Sequence, residues 1–193
     1  ATQPQNVWRR DFRYPITARF PLSEMSVLLG LNVTEDPQAP SGGLVALQLE
    51  SGSELWRRAF KNALVAGFTA LDGGRSVGVA FTSGDGPRDE GALVGIGISG
   101  QVHWRHPLGA HSVSAPTSVG SFLSATVDAQ MLLLLDAATG ERRWSRDFDT
   151  ELSTASPAVD SQTLYLPCCA PMLIAVSLDG EVRWRFSVPG ALS

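Results

Sequence analysis

The five tryptophans of this chain are Trp8, Trp56, Trp104, Trp144 and Trp184, and the intervals between them are 48, 48, 40 and 40 residues. Spacing this regular marks an internal repeat, and repeats of roughly 20–50 residues restrict a fold to solenoids, propellers or related arrays. Four of the tryptophans stand in matching contexts. Leu44-Val45-Ala46-Leu47-Gln48-Leu49 runs into Ser51-Gly52 and Trp56, and Leu93-Val94-Gly95-Ile96-Gly97-Ile98 into Ser99-Gly100 and Trp104. Leu132-Leu133-Leu134-Leu135-Asp136 leads to Thr139-Gly140 and Trp144, and Leu173-Ile174-Ala175-Val176 to Asp179-Gly180 and Trp184. In every copy the glycine lies four residues before the tryptophan.

Each copy reads as a hairpin: a short apolar strand, a glycine-bearing turn, and a second strand carrying the tryptophan. Glycine suits the turn because it enters positive φ without a Cβ penalty. A further strand candidate precedes each hairpin, at Met25 to Leu31, Val77 to Thr82, Phe122 to Val127 and Thr163 to Leu166. Looser first strands come before those, two of them opened by Ser114-Ala115-Pro116 and Ser156-Pro157. Glycine or proline interrupts every window long enough for a helix. The expectation is an all-β β-propeller of four-stranded antiparallel blades, about four of them, with at least fourteen strands. The blades are expected at 13–60, 61–108, 109–148 and 149–187. Val7-Trp8-Arg9-Arg10-Asp11-Phe12 parallels Leu55-Trp56-Arg57-Arg58-Ala59-Phe60, so residues 6–12 read as the last strand of a preceding blade. Residues 188–193 read as the start of a following one.

The best-formed hairpin, Leu135-Asp136-Ala137-Ala138-Thr139-Gly140-Glu141-Arg142-Arg143-Trp144, resembles the tryptophan-docking motif of the PQQ-like, or quinoprotein-alcohol-dehydrogenase-like, β-propellers. The other three copies are degenerate forms of it. The resemblance extends over nearly the whole chain. It implies that Trp8, Trp56, Trp104, Trp144 and Trp184, with Gly52, Gly100, Gly140, Gly180 and Asp136, are structural residues of the repeat. The indoles would then pack between neighbouring blades, and Trp56, Trp104 and Trp144 are expected to be mostly buried there. It also implies a ring of seven or eight blades, which four blades cannot close. The chain is therefore expected to be a fragment or a split subunit whose bare blade faces invite association.

Composition narrows the partners. With 15 Lys+Arg against 19 Asp+Glu the formal net charge is −4, which argues against a general nucleic-acid binder. No apolar run reaches the ~18 residues of a helical membrane span. Two cysteines cannot build a disulfide scaffold or a four-cysteine zinc site. Ala1 to Gln5 lacks the order of a signal peptide. An extracytoplasmic compartment, periplasmic or secreted, is expected over the cytoplasm.

Long loops on a rigid scaffold are the usual seat of function. Two loops between second and third strands are enlarged, Asn32 to Gly42 with Glu35 and Asp36, and Ser83 to Gly91 with Asp85, Arg88, Asp89 and Glu90. Their acids lack the order of a calcium loop, and no metal site is expected. Cys168-Cys169 stands in the equivalent place in the fourth blade. Adjacent cysteines can close a strained eight-membered disulfide. Two small buried thiols filling a turn are the preferred reading. His103 and His106 alternate in direction along a strand and cannot share a metal there; with His111 they read as surface or interblade residues. Arg9, Arg10, Arg57, Arg58, Arg105, Arg142, Arg143, Arg146, Arg183 and Arg185 crowd the tryptophan strands, where charge guards an outer edge against pairing. Asn32-Val33-Thr34 is a glycosylation triplet in an expected surface loop.

No nucleophile–base pair, P-loop or dinucleotide fingerprint is present. The expected function is a non-catalytic propeller scaffold for protein–protein interaction, needing no cofactor. Its partner would be another protein or the remainder of its own propeller, with no nucleic acid bound. In repeat style it resembles the propellers of outer-membrane assembly lipoproteins. The alternative that the resemblance carries is part of a dehydrogenase holding PQQ and Ca²⁺ on the ring axis.

Overall fold

A computed structural model of the chain describes residues 8–23, 25–33, 41–61, 63–71, 75–83, 91–109 and 112–187. The six loop residues Glu35, Asp36, Asp85, Arg88, Asp89 and Glu90 lie outside the described residues, as do His111, residues 6–7 and residues 188–193. The described residues hold sixteen strands and no helix.

The strands form four antiparallel meanders. The first is β1 (Ile16–Ser23), β2 (Ser26–Val33), β3 (Ser41–Gln48) and β4 (Glu54–Lys61). The second is β5 (Ala63–Leu71), β6 (Ser76–Ser83), β7 (Ala92–Gly97) and β8 (Val102–Pro107). The third is β9 (Thr117–Val119), β10 (Phe122–Val127), β11 (Met131–Asp136) and β12 (Arg142–Asp147). The fourth is β13 (Ala158–Val159), β14 (Thr163–Pro167), β15 (Met172–Ser177) and β16 (Val182–Ser187). A single parallel pair, Ser41 with Ala63, links the first two meanders into one sheet.

The apolar runs of the middle strands are continuous because both faces of the first three blades are covered. Side chains alternate between faces. Leu133 and Leu135 of β11 enter the core between the second and third blades, while Leu132 and Leu134 enter the core between the third and fourth. An equivalent core joins the first and second blades through Leu28, Leu44, Val77, Val79 and Ile96. A fourth cluster lies on the other face of the first blade, where Leu29, Leu31, Val45 and Leu47 receive Trp8 and Phe12. Residues 8–12 dock there without pairing as a strand. The expectation of a last strand at 6–12 is thus not met in its described part; strand geometry needs a neighbour in its own sheet, and none of the described strands provides one.

Every outer strand carries the same irregularity. The register skips one residue just before the tryptophan, at Leu55, His103, Arg143 and Arg183. Such a bulge adds local twist and re-aims the next side chain. Here the next side chain is always the indole.

Candidate functional site

The residues singled out by the repeat converge on the joints between blades. Trp8 Nε1 donates to the carbonyl of Leu49 at 2.5 Å and Trp56 Nε1 to that of Ile98 at 2.7 Å. Trp104 Nε1 donates to Ala137 O at 3.0 Å and Trp144 Nε1 to Leu178 O at 2.7 Å. Each acceptor lies in the hairpin turn of the following blade, and each indole lies flat against that turn's glycine. A Cβ on Gly52 would stand 2.6 Å from Trp8, one on Gly100 2.7 Å from Trp56, and one on Gly180 3.2 Å from Trp144. Gly140 is covered in the same way by Trp104. All four glycines have φ between +67° and +87°, so the residue type answers two demands at once, the turn and the indole. Asp136 shapes its turn from within, its Oδ1 accepting from the backbone N–H groups of Ala138 and Thr139 at 3.0 and 3.1 Å.

Two residues after each tryptophan comes a second contact. Arg10 donates to Gly52 O at 3.0 Å and Arg146 to Gly180 O at 2.7 Å; Arg58 donates to Gly100 O. His106 holds the same place against the backbone of Gly140. Burial and the nearby Arg142 guanidinium lower the imidazole's pKa, and the bond to Gly140 opposes them. Two residues further on, Phe12, Phe60, Leu108 and Phe148 enter the four apolar clusters. The outer strand is thus a three-toothed clasp: an indole on glycine, a cation or imidazole on a turn carbonyl, and an apolar plug.

This corrects the expected role of the arginines. Arg10, Arg58 and Arg146 do not guard an edge; they satisfy turn carbonyls that no strand partner reaches. Others bond within their surroundings. Arg57 and Arg10 both reach Glu54 at 2.9 Å, and Arg57 foremost holds that carboxyl below its usual range. Arg143 lies over the Phe122 ring at 5.5 Å. The signal for the clasp is visible in the sequence as Trp-x-Arg-x-Phe at Trp8, Trp56 and Trp144, but the glycine it targets lies 44 residues downstream of the first two and 36 downstream of the third.

Trp56, Trp104 and Trp144 pack against the interblade clusters and are mostly buried there, as expected. Two further expectations change. Asn32 is not in a surface loop. It is the penultimate residue of β2, and its carboxamide clamps Val65 of the second blade, donating to Val65 O at 3.1 Å and accepting from Val65 N at 2.8 Å. Cys168 and Cys169 are free thiols turned to different acceptors, Leu166 O at 3.9 Å and Leu152 O at 3.5 Å. Cys168 is half-buried and Cys169 exposed, so only the first fills the turn. Desolvation raises both thiol pKa values.

Among the described residues no three His, Cys, Asp or Glu side chains are grouped to hold a metal. No buried side-chain nitrogen or oxygen among them is left unbonded.

The comparisons with known proteins agree with this geometry. The crystal structure of BamB from Moraxella catarrhalis superposes with a TM-score of 0.68 at 17% sequence identity, covering 96% of this chain and 56% of that one. The chain thus spans about half the length of that structure. Among curated proteins none matches. The family model described as outer membrane protein assembly factor BamB, a PQQ-like repeat family, matches residues 40–192. With most of its length inside that match, and four Trp–Gly joints built alike, the chain belongs to the BamB family of PQQ-like β-propellers.

Proposed function

We propose that this chain is an arc of a larger propeller that serves as a non-catalytic scaffold, docking protein partners within an extracytoplasmic assembly complex. One observation carries the reading: among the described residues, the polar side chains that the repeat places on the outer strands join blades. Four indoles, three guanidiniums and His106 close the joints. A rigid frame built this way holds loops and faces for other proteins, and the printed description of the family, an assembly factor, fits that use. Fold alone does not decide function, so the test is biochemical.

The protein as its cells make it should be purified under mild conditions and sized by light scattering, then titrated with PQQ and Ca²⁺. The expected result is a stoichiometric complex with other envelope proteins and an absorbance spectrum that remains the sum of protein and free quinone. Stoichiometric quinone binding with alcohol or sugar oxidation would overturn the scaffold reading.

A further inference from the structure

The four clasps have a fifth counterpart on β16 that differs in one tooth. Trp184 occupies the indole position, after the same bulge and four residues after Gly180. It bonds to no described residue through Nε1 and is 43% exposed. At the second tooth, where the other strands carry Arg10, Arg58, His106 and Arg146, this strand carries Phe186, which is 58% exposed. The nearby guanidiniums do not stand in for the missing one. Arg183 donates to Thr163 Oγ1 at 2.9 Å and Arg185 pairs with Asp149 at 2.9 Å.

The face around Phe186 is apolar and continuous. Trp184, Ala175 and Tyr165 are aligned across the sheet, and the Tyr165 and Trp184 rings lie 5.9 Å apart. Phe186 is aligned with Leu173 and Pro167 one rung along. Directly paired residues share a face, and so do residues two apart on a strand. This is the face by which each preceding blade meets its neighbour. An arginine there bonds a bare carbonyl, whereas a phenyl ring bonds no carbonyl and gains only from apolar cover.

We propose that the outward face of the fourth blade docks a further four-stranded blade whose turn lies on Trp184 as in the other joints but which presents an apolar side chain, instead of a turn carbonyl, to Phe186. Continuity with three successive interblade cores, all rich in Leu, Ile and Val, argues for a blade as the occupant. The match to about half of a longer propeller argues the same way. The proposal rests on the reading of the chain as an arc, and deepens it by making this joint chemically unlike the others.

The test compares Phe186→Arg, Phe186→Leu and Trp184→Ala in the protein as its cells make it. Thermal unfolding and limited proteolysis are read together. Phe186→Arg installs the side chain the other joints use. The apolar joint predicts a midpoint lowered by at least about 2 °C and faster cleavage near the fourth blade, while Phe186→Leu stays close to the parent. An unchanged or raised midpoint for Phe186→Arg, with Trp184→Ala still destabilising, would overturn the apolar second tooth and leave the arc intact. No effect from either Trp184→Ala or Phe186→Arg would overturn both.

Discussion

Replacing Gly100 by alanine tests one of the tight clasps with its own controls in the same molecule. Gly100 sits at φ +85°, and an added Cβ would stand 2.7 Å from Trp56 Cδ2 and 3.0 Å from Cε3. Ordinary carbon contacts begin near 3.4 Å, so the indole must retreat by several tenths of an ångström. The left-handed backbone costs an alanine about 1–2 kcal/mol, and the stiffer unfolded chain returns roughly 0.4–1 kcal/mol. Retreat of the indole weakens the 2.7 Å bond from Trp56 to Ile98 O, worth about 0.5–1.5 kcal/mol. It also disturbs the bond from Arg58 to Gly100 O, a charge-assisted one. The sum is a loss of about 2–3 kcal/mol. Gly120 is the control, with φ +57° and open space where its Cβ would be. Gly120→Ala should cost about 1 kcal/mol or less, the backbone share alone. Gly180→Ala, with Trp144 at 3.2 Å, should fall between the two. Urea unfolding followed by tryptophan fluorescence gives all three on one scale. If Gly100→Ala and Gly120→Ala agree within about 0.5 kcal/mol, the indole does not press on the turn and the clasp argument fails.

Trp144→Ala removes an indole, its bond to Leu178 O and its cover over Gly180; incomplete burial places the loss at about 2–4 kcal/mol, below a full core truncation, measured by the same unfolding. His106 has a folded-state pKa below its ordinary 6.5, so the unfolded chain takes up the proton first. Stability should therefore be level above pH ~6.5 and fall as the pH drops below it, and His106→Gln should flatten that slope in thermal melts recorded across pH. Exposed Cys169 should be alkylated before half-buried Cys168, with rates still rising past the ordinary thiol value of 9.0 because desolvation raises both pKa values; peptide mapping after timed iodoacetamide exposure reads this out.

The strands were legible where local chemistry sets them. Phe122–Val127 was delimited to the residue, because an apolar run ends at turn residues on both sides. The outer strands followed from the glycine four residues before each tryptophan. The first strands of the third and fourth blades were visible mainly through their Ser and Pro openings, and they are short, three and two residues. What the pattern hid was long-range. Nothing near Arg58 says that its acceptor is Gly100, so a charged outer strand reads as a guarded edge. Asn32 looked like a loop residue for the same reason: its bidentate partner, Val65, is 33 residues away.

The central claim is that each indole but the last is held by the next blade's turn. Nitrogen-15 labelling of tryptophan in the 193-residue chain gives one indole N–H signal for each of the five side chains, and hydrogen exchange at each can be timed. The account predicts slow exchange for Trp56, Trp104 and Trp144, whose Nε1 groups are bonded at 2.7–3.0 Å, and for Trp8, with fast exchange for Trp184. Exchange at Trp56, Trp104 and Trp144 as fast as at Trp184 would contradict it.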